Sequence, residues 1–478
     1  MQYFVFLLIS VLAVFLSRMM GMPRINTVSI FAGVWSAILL VVSLPDVVSP
    51  ALTAEFWDIV FIGSLALYGG ALIGALKFER VHRIKGEIST LFVDSQRLKK
   101  LHYTFVTALC GSVALQVYSN LSLIAMAGGF SKVLSFSGGT GDNYKAAQMQ
   151  VRAQALADGV GSGSLVVSVV GYVLFFGNLS IFTGALLWKL NSRLLAAIPI
   201  GVSAVLSVLT VQRTSFMMAG LLLIGTLLCL RSLDMRTRIP DGRSAESISF
   251  RNSFAAFVIG LFGFVSIVVP TAARGVGSRG ASVFQSLVEY FIASAAGLNA
   301  QTVYNSDWIP PINDQHSGFG PSFGFGSYTF TGLASILGRL GLPVPNAPHA
   351  YDFYPVYLWG SLFNTNTGSS FLDFIMDFRT PGLVVMSFLL GFLAVKAHSA
   401  SLSGKVQYVP IAAVLLATVF WSFFVNSLLG DYRYLLTAAI GGLLFKSLMG
   451  PAQNIGDFIA GDLGVCGRAS NGDLIVPR

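Results

Sequence analysis

The chain has 478 residues, 54% hydrophobic and only 11% charged, with a mean hydropathy of +0.73. Soluble domains carry about a quarter charged residues, so this composition excludes an ordinary soluble globular protein and indicates a polytopic membrane protein. The net charge of +9 would suit a nucleic-acid binder if it were clustered, but its distribution along the chain gives it another meaning.

A bilayer is crossed by about 20 apolar residues in a helix, because lipid cannot satisfy open backbone groups. Eleven apolar runs qualify as spans: 3–20, 25–44, 56–76, 103–127, 164–187, 194–211, 215–230, 252–270, 382–395, 407–428 and 435–449. The first lacks a basic start and is followed by further spans, so it reads as a retained helix and not a cleaved signal. The predicted fold is therefore all-α, a transmembrane bundle in four parts. Residues 1–270 hold spans one to eight, 271–381 form a large loop outside the lipid, 382–449 hold the last three spans, and 450–478 form a tail. The 50 glycines fit such a bundle, since small residues let helices approach closely. Cys110, Cys229 and Cys466 are scattered, which indicates neither a disulfide framework nor a metal site. No repeat of 20–50 residues is visible, which argues against an inverted-repeat transporter.

Lys and Arg orient the bundle, because they are retained on the cytoplasmic side. Alternate loops sort the 30 basic residues into 21 on one side and nine on the other. The richer side, which includes Lys77 to Lys100 and Arg231 to Arg251, is cytoplasmic. The N-terminus and the 271–381 loop then lie outside and the C-terminus inside. Twelve acids fall outside and nine inside, so the basic character is a topology signal and needs no nucleic acid to explain it.

Three outer segments stand out. Residues 128–163 are Gly-rich around a helix-forming centre, Asn143 to Ala157, and read as a short surface helix. Gln212-Arg213-Thr214 is a tight turn between two spans. The 111-residue loop 271–381 holds four Arg, no Lys, two His and 19 aromatic residues. Within it, Leu287 to Ala300 is apolar but too short to span, which predicts an amphipathic or re-entrant helix that turns Glu289 toward protein or toward headgroups.

Arg is the first candidate for chemistry, since its planar fork matches phosphate oxygens. Arg213 sits in a turn where an unpartnered charge is costly. Arg274 and Arg279 lie in ARGVGSRG, where backbone N–H groups and guanidinium groups can converge on one anion. Arg379 precedes a span, Arg433 lies in GDYRY, and Arg152 belongs to the 128–163 segment. Each of these also fits a snorkelling role at the headgroups. His349 and His316 are the candidate general bases near neutral pH, with Asp377, Asp373 and Asp352 as alternatives. FGPSFGFGSYTF (Phe319 to Phe330) and YDFYPVYLW (Tyr351 to Trp359, which includes Tyr354) offer rings that stack on sugars or anchor at the lipid interface. No HExxH or Cys/His ligand spacing appears, so no metal and no cofactor are expected.

The layout resembles the O-antigen and oligosaccharide repeat-unit polymerases of the Wzy type, relatives of the ligase-like class C membrane glycosyltransferases (GT-C). The resemblance rests on eleven spans with a large outer loop before the last three, and on QRTSFMMAGLLL (Gln212 to Leu223) as an Arg-led helix start. It rests also on NTNTGSSFLDFIMDFRTPGLVVMSFLLGFL (Asn364 to Leu393) and on the outer Arg residues after the eighth span. Arg379-Thr380-Pro381 stands where many members have a further Gly.

The resemblance implies a metal-independent, inverting enzyme in a bacterial inner membrane, with its site facing the periplasm. It would transfer a growing glycan from undecaprenyl pyrophosphate to the non-reducing end of a lipid-linked repeat unit. Membrane lipid and a chain-length regulator protein would be its other partners. Arg213, Arg274 and Arg279 would hold the donor pyrophosphate, and Arg379 and Arg433 the second lipid's phosphates. His349, His316 or Asp377 would activate the acceptor. A ligase on the same architecture and a transporter or flippase are the alternative readings.

Overall fold

A computed structural model describes residues 1–49, 51–76, 90–93, 95–126, 165–190, 193–209, 214–231, 234–237, 283–304, 329–330, 337, 354–365, 369–424 and 432–449. Most of them are helical. The helices are α1 (Gln2–Met19), α2 (Thr27–Val42), α3 (Ala54–Ala75), α4 (Ser95–Met126), α5 (Leu165–Lys189), α6 (Arg193–Leu209), α7 (Thr214–Leu230), α8 (Val283–Tyr304), α9 (Ser369–Leu402), α10 (Val409–Trp421) and α11 (Tyr432–Met449). Five short strands are β1 (Val48–Ser49), β2 (Thr90–Val93), β3 (Asp234–Thr237), β4 (Tyr354–Leu358) and β5 (Ser361–Thr365). Ten of the eleven apolar runs coincide with helices, and the eighth, 252–270, lies outside the described residues. Helices α1, α3 and α9 are each long and apolar enough to cross a membrane, and several shorter apolar helices accompany them.

Local chemistry sets the helix starts. Asn26 opens α2 with a reciprocal cap: its side chain accepts the Ser29 N–H at 3.0 Å, and its own N–H donates to Ser29 Oγ at 2.9 Å. Thr53 opens α3 by accepting the Phe56 N–H at 3.0 Å.

The tightest packing joins α3 to α9. A Cβ on Gly70 would lie 2.0 Å from the Phe388 carbonyl oxygen, and one on Gly391 would lie 2.2 Å from that of Leu67. Gly70 and Gly74 form a small-xxx-small step, so the two backbones touch where any side chain would separate them. The contacts run in register: Gly63 meets Leu383, Gly70 meets Phe388, and Gly74 meets Phe392 and Val395. The two helices are therefore parallel.

Two small sheets tie distant segments together. Antiparallel β1, β4 and β5 lie in the order β1-β4-β5, with Val48 opposite Leu358 and Val356 opposite Phe363. Parallel β2 and β3 pair with Thr90 opposite Asp234. β1 joins the segment between the second and third runs to the 271–381 loop, and β2–β3 joins the two most basic segments. Each sheet thus gathers segments that the charge pattern assigns to one side.

Two segments of the 271–381 stretch take a definite form. Residues 287–300, expected as an amphipathic or re-entrant helix, are helical and extend beyond their apolar run. They belong to the 22-residue α8, buried continuously from Ile292 to Ala300. Its IASAAGLNA stretch is mostly small and apolar, so it packs within protein against α2, α3, α9 and β4. Residues 369–378, expected in the outer loop, form the first part of α9. There Phe371 stacks on Trp35 at 4.9 Å and meets Phe31 at 6.2 Å.

Candidate functional site

Helix α9 is two helices joined at Arg379, whose φ of 56° and ψ of −154° break the helical run. The chain doubles back there. Phe371 and Leu383 lie at the same level of α3, both within 3.0 Å of a Cβ built on Gly63. A Cβ on Gly382 would sit 2.8 Å from the Phe374 carbonyl oxygen, eight residues earlier, which a continuous helix would hold about 12 Å away. Pro381 helps break the helix, because it has no N–H and disfavours a helical conformation in Thr380 before it. Arg379, Thr380 and Pro381 form the exposed apex.

The ascending arm, 369–378, is pinned at both ends. At its base the Ser370 N–H donates to the Ser422 carbonyl at 2.8 Å, and the Ser369 N–H to that of Phe424 at 3.3 Å. Ser422 Oγ also accepts the Trp35 indole N–H at 3.1 Å, which joins α2, α9 and the end of α10 in one buried polar junction. Near its top, the carboxylate of Asp377 accepts the Thr329 main-chain N–H, and Thr329 Oγ1 donates to the Asp373 carbonyl at 3.3 Å. Phe330 meets Phe378 edge-on at 6.4 Å.

Among the described residues, three carboxylates are buried in this region: Asp373 and Asp377, one turn apart on the ascending arm, and Glu289 on α8, which accepts from Gln285 Nε2 at 3.0 Å. Charge at this burial persists only where hydrogen bonds or counter-charges hold it, so these groups are structural anchors or the heart of a site. Helix α8 packs over the arm's base through Tyr290 on Phe424 at 5.0 Å and Phe291 on Phe423 at 6.0 Å. Its far end is latched to the start of α3. Asn299 Oδ1 accepts the Thr53 N–H at 2.9 Å, Asn299 Nδ2 donates to the Ala51 carbonyl at 3.4 Å, and the Thr53 and Thr302 hydroxyls lie 2.7 Å apart.

Of the residues expected to act, Asp377, Arg379, Arg433 and Tyr354 are placed. Asp377 has no exposed surface and ties 329–330 to α9. Arg379 is the exposed apex, four residues before Leu383 at the Gly63 level of α3. Arg433 is half-buried in the first turn of α11, and its carbonyl accepts Thr437 Oγ1 at 2.6 Å. Tyr354 begins β4, opposite Thr365. Arg152, Arg213, Arg274, Arg279, His316 and His349 lie outside the described residues. Among the described residues, no group of three or more His, Cys, Asp and Glu is placed to hold a metal ion.

The Ser370–Ser422–Trp35 junction and the Asn299 latch escape sequence reasoning, because hydroxyls and amides inside apolar runs look like helix filler. The one signal was polar spacing: Asn299 and Thr302 stand three apart near the end of α8. No family profile matches this chain, and neither a curated protein nor a solved structure does.

Proposed function

We propose that this protein is a membrane glycosyltransferase that polymerises lipid-linked oligosaccharide repeat units. In this reading an eleven-span, class C-like bundle passes the growing glycan from undecaprenyl pyrophosphate to the acceptor sugar of the next unit, outside the cytoplasmic membrane of a bacterium. The observation that carries the reading is the gathering of segments from the Lys-poor side. The β1–β4 pairing and the Asn299–Thr53 latch join the segment between the second and third runs to the 271–381 loop, which also carries the Arg379 apex, and both stretches are assigned to that side. A polar end built from folded segments on an apolar bundle suits chemistry on a large polar substrate at a membrane surface. Guanidinium groups of Arg213, Arg274 and Arg279 would neutralise the departing pyrophosphate, with Arg379 and Arg433 on the second lipid's phosphates. His349, His316 or Asp377 would take the acceptor proton, and lipid pyrophosphate is a good enough leaving group for positioning to suffice.

The test is purified protein with lipid-linked repeat units, which gives a ladder of longer glycans without nucleotide sugar. Loss of one charge-stabilising contact costs about 2.7–4 kcal/mol in the barrier, so Arg213→Ala slows extension about 100- to 1,000-fold. Normal extension by that variant removes the donor-site assignment.

A second reading has an observation of its own. Buried Asp373 and Asp377 on a helix broken at Arg379 are the kind of feature that transporters and flippases place at their substrate path. Translocation of the lipid-linked unit without bond formation selects that reading.

A further inference from the structure

The free end of the β4–β5 hairpin carries two open rings and one open carboxylate. Strand β4 alternates: Val356 and Leu358 are buried, while Tyr357 is 43% exposed. Trp359 follows at the turn, 37% exposed, with φ of 48°, and Gly360 has φ of 73°. Two successive left-handed residues make the tight hairpin turn that favours Asn-Gly or Asp-Gly. A bulky aromatic at its first position is an outlier, and such outliers collect where function holds them. The Trp359 N–H donates to the Val47 carbonyl at 2.9 Å, which brings exposed Asp46, itself left-handed with φ of 61°, to the same tip.

These groups are complementary to a carbohydrate. Indole and phenol faces stack on the C–H faces of sugar rings, and a carboxylate accepts sugar hydroxyls. Tyr357 and Trp359 are two residues apart on extended chain, with Cα atoms about 6.6–7 Å apart, close enough for neighbouring sugars of one glycan. Lipid hydrocarbon is not the occupant, because a sheet with open edges does not lie at that depth. Anionic headgroups are disfavoured too, since the charge beside the rings is the negative Asp46.

We propose that Tyr357, Trp359 and Asp46 form a glycan-binding subsite that holds the chain away from the reacting end. The assignment rests on the polymerase reading for the source of the glycan. It stands or falls on binding, which can be measured without turnover.

The experiment uses the full chain labelled with 5-fluorotryptophan in nanodiscs of phosphatidylethanolamine and phosphatidylglycerol. The Trp359 fluorine resonance is identified by its loss in Trp359→Phe. The probe is the soluble polysaccharide released by mild acid from the producing strain's own lipid-linked glycan. We expect saturable movement of the Trp359 resonance, with apparent affinity about tenfold weaker in Tyr357→Ala and in Asp46→Ala. Trp359→Asn, which suits the turn better, keeps the fold and loses retention of the nanodiscs on the same polysaccharide immobilised on a column, a readout that needs no resonance at 359. Broadening of the resonance by a paramagnetic headgroup lipid, without response to the glycan, overturns the proposal and makes the hairpin tip a membrane anchor. Glycan binding without any ladder leaves the subsite standing and removes the polymerase. A ladder without glycan response does the reverse.

Discussion

Replacing Gly391 by Ala tests one of the closest contacts between α3 and α9. The new methyl would stand 2.2 Å from the Leu67 carbonyl oxygen and 3.1 Å from the Ala71 nitrogen. That is 1.2 Å inside the 3.4 Å at which ordinary contact begins, and both neighbours are backbone, which no rotamer change can move. Helices α3 and α9 must therefore part along a face they share for several turns. Overpacking of this kind costs about 1–3 kcal/mol, against the roughly 0.5–1 kcal/mol that Ala gains over Gly inside a helix. The control is Gly33→Ala in α2, where a Cβ meets nothing within 4 Å. The two substitutions are chemically identical and should have opposite signs. Unfolding in detergent, followed by thermal aggregation on a size-exclusion column, should put Gly391→Ala below the parent and Gly33→Ala level with or above it. If Gly391→Ala instead matches Gly33→Ala, the α3–α9 contact is wrong, and with it the parallel register that locates Arg379.

Two further substitutions probe the hairpin of α9. Arg379→Gly removes the strain of a positive φ with extended ψ, a region held almost only by Gly, at about 1–3 kcal/mol, offset in part by the freedom Gly adds to the unfolded chain. The same assay should show equal or higher stability while chain extension falls, a split that separates a phosphate ligand from a structural residue. Extension at the parental rate would remove Arg379 from the site. Ser422→Ala leaves the buried Trp35 N–H without its acceptor, at a cost of about 1–3 kcal/mol, and Trp35→Phe in the same background should recover part of that loss in thermal stability. No recovery in the double variant means the two side chains are not coupled.

Several features were legible from the sequence for clear reasons. A 20-residue apolar run can be little other than a helix in lipid, so ten runs overlap helices, although α4 and α9 start well before their runs. Charge sorting is a one-dimensional property, and the pairings β1–β4 and β2–β3 each join segments that it placed together. Glu289 could be assigned only to protein or headgroups, and it is buried against Gln285.

The rest depended on three-dimensional packing. Pro381-Gly382 marks a helix break in FLDFIMDFRTPGLVV, but the sequence does not state that the chain folds back there onto its own preceding turns. The reversal exists because Gly382 leaves room at the turn and Gly63, Gly70 and Gly391 let α9 press against α3. Residues 369–378 carry two Asp and read as surface, yet they are buried because Trp35, Ser422 and Thr329 meet them from three other segments. Sequence by itself determined which runs are apolar helices, since solvation acts residue by residue. Which polar residues are buried, and which stand open at the hairpin tip, was decided by tertiary structure, because hydrogen-bond partners and close backbone contacts come from parts of the chain hundreds of residues apart.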